Sequence, residues 1–194
     1  VAPGSTQNAR LREYLLAGGR ALVMEQAHSL FPGLALARQP TEMAHRRDPS
    51  HPVLAGIARE DLCFVGDDPF GLPSSDSWVT VYPYVKPTDG HLVRPLVDSS
   101  GGDFATGGLT WTPVIEARVG AGVCIASQLR FADRLSELPV ADHLLCNALR
   151  YLATASPMAA QAVGADSELA EGLATALPAL DSSALFLPAA SGTS

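Results

Sequence analysis

Cys124 is the residue with the most chemistry to offer. It sits in the stretch VGAGVCIASQLRF, residues 119–131, two positions after the tripeptide Gly120-Ala121-Gly122. A thiol becomes a nucleophile when helix-terminal amides or a neighbouring base lower its pKa. The sequence device for this is a G-x-C-x-G elbow between a strand and a helix, where strain exposes the sulfur. Here Ala126 takes the place of the second glycine, and IASQLRF continues as strand rather than opening a helix. No His-x-Glu pair stands anywhere in the chain to activate a thiolate. Cys124 is therefore read as part of a wall. Cys63 in DLCFVG and Cys146 inside a later helix fail the same test. All three cysteines lie in apolar runs without metal-ligand spacing, so buried free thiols are expected.

Carboxylates come next. Glu60-Asp61 and Asp67-Asp68 are conspicuous pairs. A retaining glycosidase needs two carboxyls about 5–5.5 Å apart across a sugar cleft. Neighbours on a strand point to opposite faces, so these pairs are read as solvated turn and cap residues. Asp67-Asp68 also fits a weak calcium site, although the loop lacks the EF-hand pattern. The five histidines, 28, 45, 51, 91 and 143, show no zinc spacing, and no metal or cofactor is expected. His51 precedes Pro52 and reads as a turn residue, and it is also a candidate for ligand contact. Trp78 and Trp111 border loops. Each could stack on a sugar ring, although core or interface packing is more often the reason for a Trp.

Residues 5–19, STQNARLREYLLAGG, spell a helix capped by Ser5 or Thr6 and stopped by Gly18-Gly19, with Leu11 and Leu15 on one face. A short apolar strand, Ala21 to Glu25, follows. Helix, double glycine and strand make the second half of a βαβ unit whose first strand is mostly missing. Residues 27–50 read as a long loop with one short helix. A turn and a short helical piece in HPVLAGIARE lead to a strand around Leu62–Val65, and residues 69–77 are loop. WVTVYPYV alternates, with Pro83 marking an edge strand or a break. HLVRPLVDSS is a strand, and GGDFATGG a flexible loop.

TPVIEARVGAGVCIASQLRF is the clearest hairpin. Ile115, Ala117 and Val119 share one face of its first arm, and Val114, Glu116 and Arg118 the other. Gly120-Ala121-Gly122 forms the turn. Val123, Ile125, Ser127 and Leu129 share one face of the second arm; Cys124, Ala126, Gln128 and Arg130 share the other. LPVADHLLCNALRYLATA is a helix opened by Pro139 and ended by Pro157. Its stripe of Val140, Leu144, Ala148, Leu152 and Ala155, widened by Leu145 and Leu149, is broad enough to pack on a sheet. The tail adds a helical segment, DSELAEGLATALPAL, and a strand with a small-residue loop, SALFLPAASGTS. Its FLPAASGTS resembles the opening VAPGSTQ. It is read either as the start of a second similar domain or as the strand missing at the N-terminus.

The 194 residues suffice for one domain with a real core. A hydrophobic fraction of 47% against 17% charged makes the chain globular. A net charge of −7 argues against nonspecific nucleic-acid binding, which needs a basic face. No apolar run reaches membrane-span length, so no membrane partner is expected. The chain opens on VAPGS without an initiator Met, which reads as a fragment and leaves its localisation undetermined.

Four segments in order, LREYLLAGGRALVMEQ, HPVLAGIAREDLCFVGDD, LTWTPVIEARVGAGVCIASQLRF and ELPVADHLLCNALRYLATA, together resemble the glutamine-amidotransferase-like domains attached to glycoside hydrolases of the β-galactosidase and family 2 type. The HP.LAG turn, the late hairpin and the P.A..LL.N.LRYL helix are the specific part of the set. The resemblance covers residues 1–155 and implies a flavodoxin-like α/β three-layer sandwich with a mostly parallel sheet and a late β-hairpin. It also implies a module without its own catalysis, which serves assembly or shapes a sugar site in a larger protein. Expected partners are other domains of that protein, a carbohydrate, or further copies of the chain in a homo-oligomer. A small cysteine- or serine-dependent α/β hydrolase and an oligomerisation module are the alternatives.

Overall fold

The computed structural model describes residues 6–31, 33–63, 78–86, 93–99 and 109–155. The expected strand at Phe64–Val65, the loops around residues 69–77 and 101–108 and the whole tail lie outside these residues.

Helix α1 spans Thr6–Leu16, and β1 follows at Arg20–Val23. Gly18 breaks the helix with a φ of 90°, a left-handed conformation that disfavours side-chain-bearing residues. Strands β2 (Ala44–Arg46), β3 (Tyr84–Val85), β4 (Val93–Ser99), β5 (Trp111–Val119) and β6 (Gly122–Ser127) come next. Helix α2, Pro139–Thr154, closes the described chain. Short 3₁₀ turns stand at Pro52–Leu54, Glu60–Leu62 and Ala132–Arg134.

The strands form one six-stranded mixed sheet in the order β1-β6-β5-β4-β2, with β3 also pairing β5. Among the described residues only β1–β6 is parallel; the other pairs are antiparallel. This corrects the expectation of a mostly parallel sheet. Parallel neighbours need a crossover of a dozen or more residues, usually helical. Strands β5 and β6 are joined by two residues, Gly120 and Ala121, so they must run antiparallel. Gly120, at φ 59°, supplies the left-handed residue such a turn needs.

Alternation along β6 sorts the core into two clusters. Val123 and Ile125 pack with Leu144, Ala148 and Leu152 of α2. Cys124 and Ala126 pack with Leu15 of α1 and with Tyr84. The two helices therefore cover opposite faces of the sheet. Pro139 opens α2 as expected, but the apolar stripe is narrower than its leucines suggested, because Leu149 is exposed.

Two other expectations change. Residues 27–50 hold β2 rather than a helix among the described residues, because Ala44, His45 and Arg46 pair with Ser99, Asp98 and Val97. Leu62 ends a 3₁₀ turn instead of opening a strand, and Cys63 makes an isolated bridge to Met43. Pro83 marks a break in WVTVYPYV, one of its two expected roles, leaving isolated bridges at Thr80 and the two-residue β3.

Candidate functional site

The polar centre of the molecule lies between the sheet and α2. Glu116 is in the middle of β5, on the face turned toward α2, and is 3% exposed. Tyr151, from the last turns of α2, donates its hydroxyl to Glu116 Oε1 at 2.7 Å. Arg118, two residues along the same strand face, ion-pairs Oε1 at 2.6 Å and donates to the Tyr151 hydroxyl at 3.2 Å. His51 approaches the other carboxylate oxygen, Oε2, with Nε2 at 3.2 Å. Its Nδ1 accepts the Val53 amide at 3.2 Å, which fixes the tautomer: Nε2 carries the proton and donates to Glu116. The imidazole also packs edge-on against the Tyr151 ring, with centroids 4.7 Å apart.

The local sequence explains each placement. Pro52 follows His51 and opens a 3₁₀ turn, and the His51 side chain caps its first amide. That turn is clamped to α2 by Asn147, whose Nδ2 donates to the carbonyls of Val53 at 3.3 Å and Ala55 at 2.8 Å. Asn147 and Tyr151 stand four residues apart and so share a helix face. One end of that face holds the turn and the other holds the carboxylate.

Burial pushes the Glu116 carboxyl up. The hydrogen bonds from His51 and Tyr151 and the Arg118 charge outweigh it, and together they bring the pKa down from 4.5 to about 2. Burial, followed by the hydrogen bond to Glu116 and that group's charge, pushes the Tyr151 phenol up to about 12. A general base needs a pKa near working pH and a path to substrate. Glu116 has all its close partners from the protein and a pKa far below that range. The cluster is chemically a clasp. Arg118 Nη1 is buried with no hydrogen-bond partner among the described residues.

A second polar group braces the far side of the sheet order. Asp98 of β4 is buried, with Arg47 Nη1 at 3.2 Å and Lys86 Nζ at 2.7 Å. At the other end, Gln128 extends the β1–β6 pairing by side chain. Its Oε1 accepts the Gln26 amide at 2.9 Å, and its Nε2 donates to the Gln26 carbonyl at 3.3 Å.

Cys124 is fully buried in mid-strand, facing Leu15 and Ala126, and burial pushes its thiol up to about 12. Gly122 owes its identity to packing: a Cβ there would overlap the Leu15 carbonyl oxygen and lie 2.7 Å from that of Gly19. Cys63 is only half-buried and Cys146 is exposed, correcting the expectation that all three thiols are buried. The Cys146 position follows from α2 geometry, two residues past the buried Leu144 on the opposite side of the helix. Alkylation by iodoacetamide at pH 8 is therefore expected at Cys146 within minutes. Cys124 should react only after denaturant is added, as peptide mapping by mass would show.

Of the expected site residues, His51 is in the cluster. Trp111 opens β5, paired with Val85 and Ser99, five residues and about 17 Å of extended strand from Glu116. Trp78 is half-buried at the entry to the Val79–Thr80 segment. Asp67 and Asp68 lie outside the described residues. Glu116, Arg118, Asn147 and Tyr151 were not singled out by sequence, although Glu116 and Asn147 carried a signal as polar residues at core-facing positions of apolar elements. Among the described residues no group of His, Cys, Asp and Glu could hold a metal ion, and no helix is long and apolar enough to cross a membrane. A crevice between the sheet and α2, lined by Leu22, Met24, Ile125, Phe131 and Leu145 among others, has room for about one water.

No family model, no curated protein and no solved structure matches the chain.

Proposed function

We propose that the chain is a noncatalytic, glutamine-amidotransferase-like accessory module of a larger carbohydrate-active protein of the glycoside hydrolase type, and that it serves assembly or the shaping of a sugar site. One observation carries this reading. The HP.LAG turn, the late hairpin and the N.LRYL helix meet in a single closed network of His51, Glu116, Arg118, Asn147 and Tyr151. The residues that make those segments distinctive serve to hold one another. The flavodoxin-like three-layer arrangement belongs to the same reading, supported by helices on opposite faces of the sheet and by the parallel β1–β6 pair.

The reading is tested on the purified chain with glutamine and with aryl glycosides. Ammonia and phenol release are expected at the level of the Cys124→Ala variant. Turnover that disappears in Cys124→Ala would overturn the proposal and restore the cysteine hydrolase.

A further inference from the structure

The outer edge of β1 leaves the main chain of one residue open. Val123 donates its amide to the Gly19 carbonyl at 3.1 Å, so the main-chain groups of Gly19, Ala21 and Val23 face β6. Those of Arg20, Leu22 and Met24 face the other way. The Arg20 carbonyl accepts the Tyr14 hydroxyl at 3.3 Å, and the Met24 carbonyl accepts Gln26 Nε2 at 3.0 Å. Between these two capped positions, the Leu22 amide and carbonyl have no partner among the described residues. No described strand pairs β1 on that side. Folded proteins cover or blunt such an edge, because its donors and acceptors are a template for another strand.

Apolar side chains border the open residue. On the α2 side, Leu22 and Leu145 line one crevice, and Arg20 Nη1 donates to the Ala153 carbonyl at 3.2 Å. Leu149 lies midway between Leu145 and Ala153 on the same helix ridge, and so stands level with Leu22. It is 52% exposed. On the α1 side Tyr14 is 54% exposed. Two of the four large exposed hydrophobics among the described residues therefore flank this one edge.

Charge along the edge is polarised. Arg20 opens β1, and the exposed Arg150 stands one turn before Ala153 on α2. At the other end Glu25 follows β1, and Asp133, Glu137 and Asp142 gather around the start of α2. Arg130 and Arg134 offset part of that charge. The edge is thus basic where β1 begins and acidic where it ends.

We infer that β1 pairs with β1 of a second copy of the chain, antiparallel, across a two-fold axis at Leu22. Pairing about this residue lets Leu22 exchange both main-chain hydrogen bonds with its own counterpart. It sets the basic end of each edge against the acidic end of the other, which a parallel pairing would not do. It also brings Leu149 of the two copies together at the axis. The contact is isologous, so it closes at two copies instead of growing into a filament. It stands apart from the accessory-module reading, which a monomeric chain would leave intact.

Light scattering on the intact chain across a dilution series tests this. The mass is expected to fall from two copies to one, and the Leu22 amide to lose its hydrogen-exchange protection in step. Leu149 is exposed, so Leu149→Asp should keep the melting temperature of the diluted chain. It sets like charges at the axis and should weaken the dimer at least about tenfold. Leu149→Cys in a Cys146→Ser background should form an intermolecular disulfide on mild oxidation. Leu109→Cys in the same background, away from the edge, should not. A chain that is monomeric at every concentration overturns the inference, whether or not Leu22 is protected. A dimer that ignores Leu149→Asp, or that fails to cross-link at position 149, uses another surface and overturns it as well.

Discussion

Glu116→Ala is expected to destabilise the fold by about 3–5 kcal/mol. The substitution removes the buried acceptor shared by His51, Tyr151 and Arg118, and it leaves the partly buried Arg118 guanidinium without its counter-charge. Breaking a buried pair from one side costs more than the pair is worth, because the remaining charge stays desolvated. Urea denaturation at pH 7 reads the loss directly. Acid denaturation gives a second, independent reading. The folded Glu116 carboxyl titrates at about 2, below its usual 4.5. Its contribution is therefore fully present above pH 4.5 and is lost as the pH falls through 2, at about 1.4 kcal/mol per pH unit. Glu116→Gln should flatten that part of the stability profile while keeping the side-chain shape. A variant with an unchanged urea midpoint would remove Glu116 from the list of groups that hold the turn, the hairpin and α2 together.

Gly122→Ala should be nearly as damaging, at about 3 kcal/mol. A methyl group is normally a small addition, and at an exposed hairpin position it would be tolerated. Here it meets main chain, the carbonyls of Leu15 and Gly19, which cannot rotate aside as a side chain would. The end of α1 must lift away from the hairpin, opening the cluster of Leu15, Val23, Ala117 and Cys124. The measurable signs are a lower melting temperature and, as a specific marker, Cys124 becoming open to alkylation without denaturant. Gly122→Ala with normal stability and a protected Cys124 would mean that α1 does not depend on this close approach.

Elements with a strong period were legible in the sequence. α1, the β5–β6 hairpin with its two faces, β4 and α2 follow from alternation, glycine punctuation and a proline at a helix start. β2 was not, because three residues in an Arg- and His-rich stretch have no period, and their strand character comes from pairing with β4. The direction of the sheet is not legible from α1 and β1, because their βαβ logic does not extend to β5 and β6, which are joined by a two-residue turn. The site was half legible. His51 was noticed for its turn, and its Nε2 partner is 65 residues away. Such a pairing is tertiary, and one sequence states only that a Glu sits on an inward face. Cys124 was read correctly from register alone: Ala126 and Gln128 share its face, and no base does.

The parallel pairing of β1 with β6 has a consequence for how the chain is made. Gln26 and Gln128, which close that pairing, are 102 residues apart in sequence. During synthesis α1 and the apolar strand RALV leave the ribosome before the hairpin does, and their partner is not available until it has emerged. At ordinary elongation rates that interval is roughly 5–20 s. Through it the segment can neither bury its leucines nor satisfy its strand amides, and closing so long a loop is slow even once both ends exist. The α1–β1 segment thus waits on the hairpin to find its place, and its early exposure makes it a natural point for a chaperone to hold.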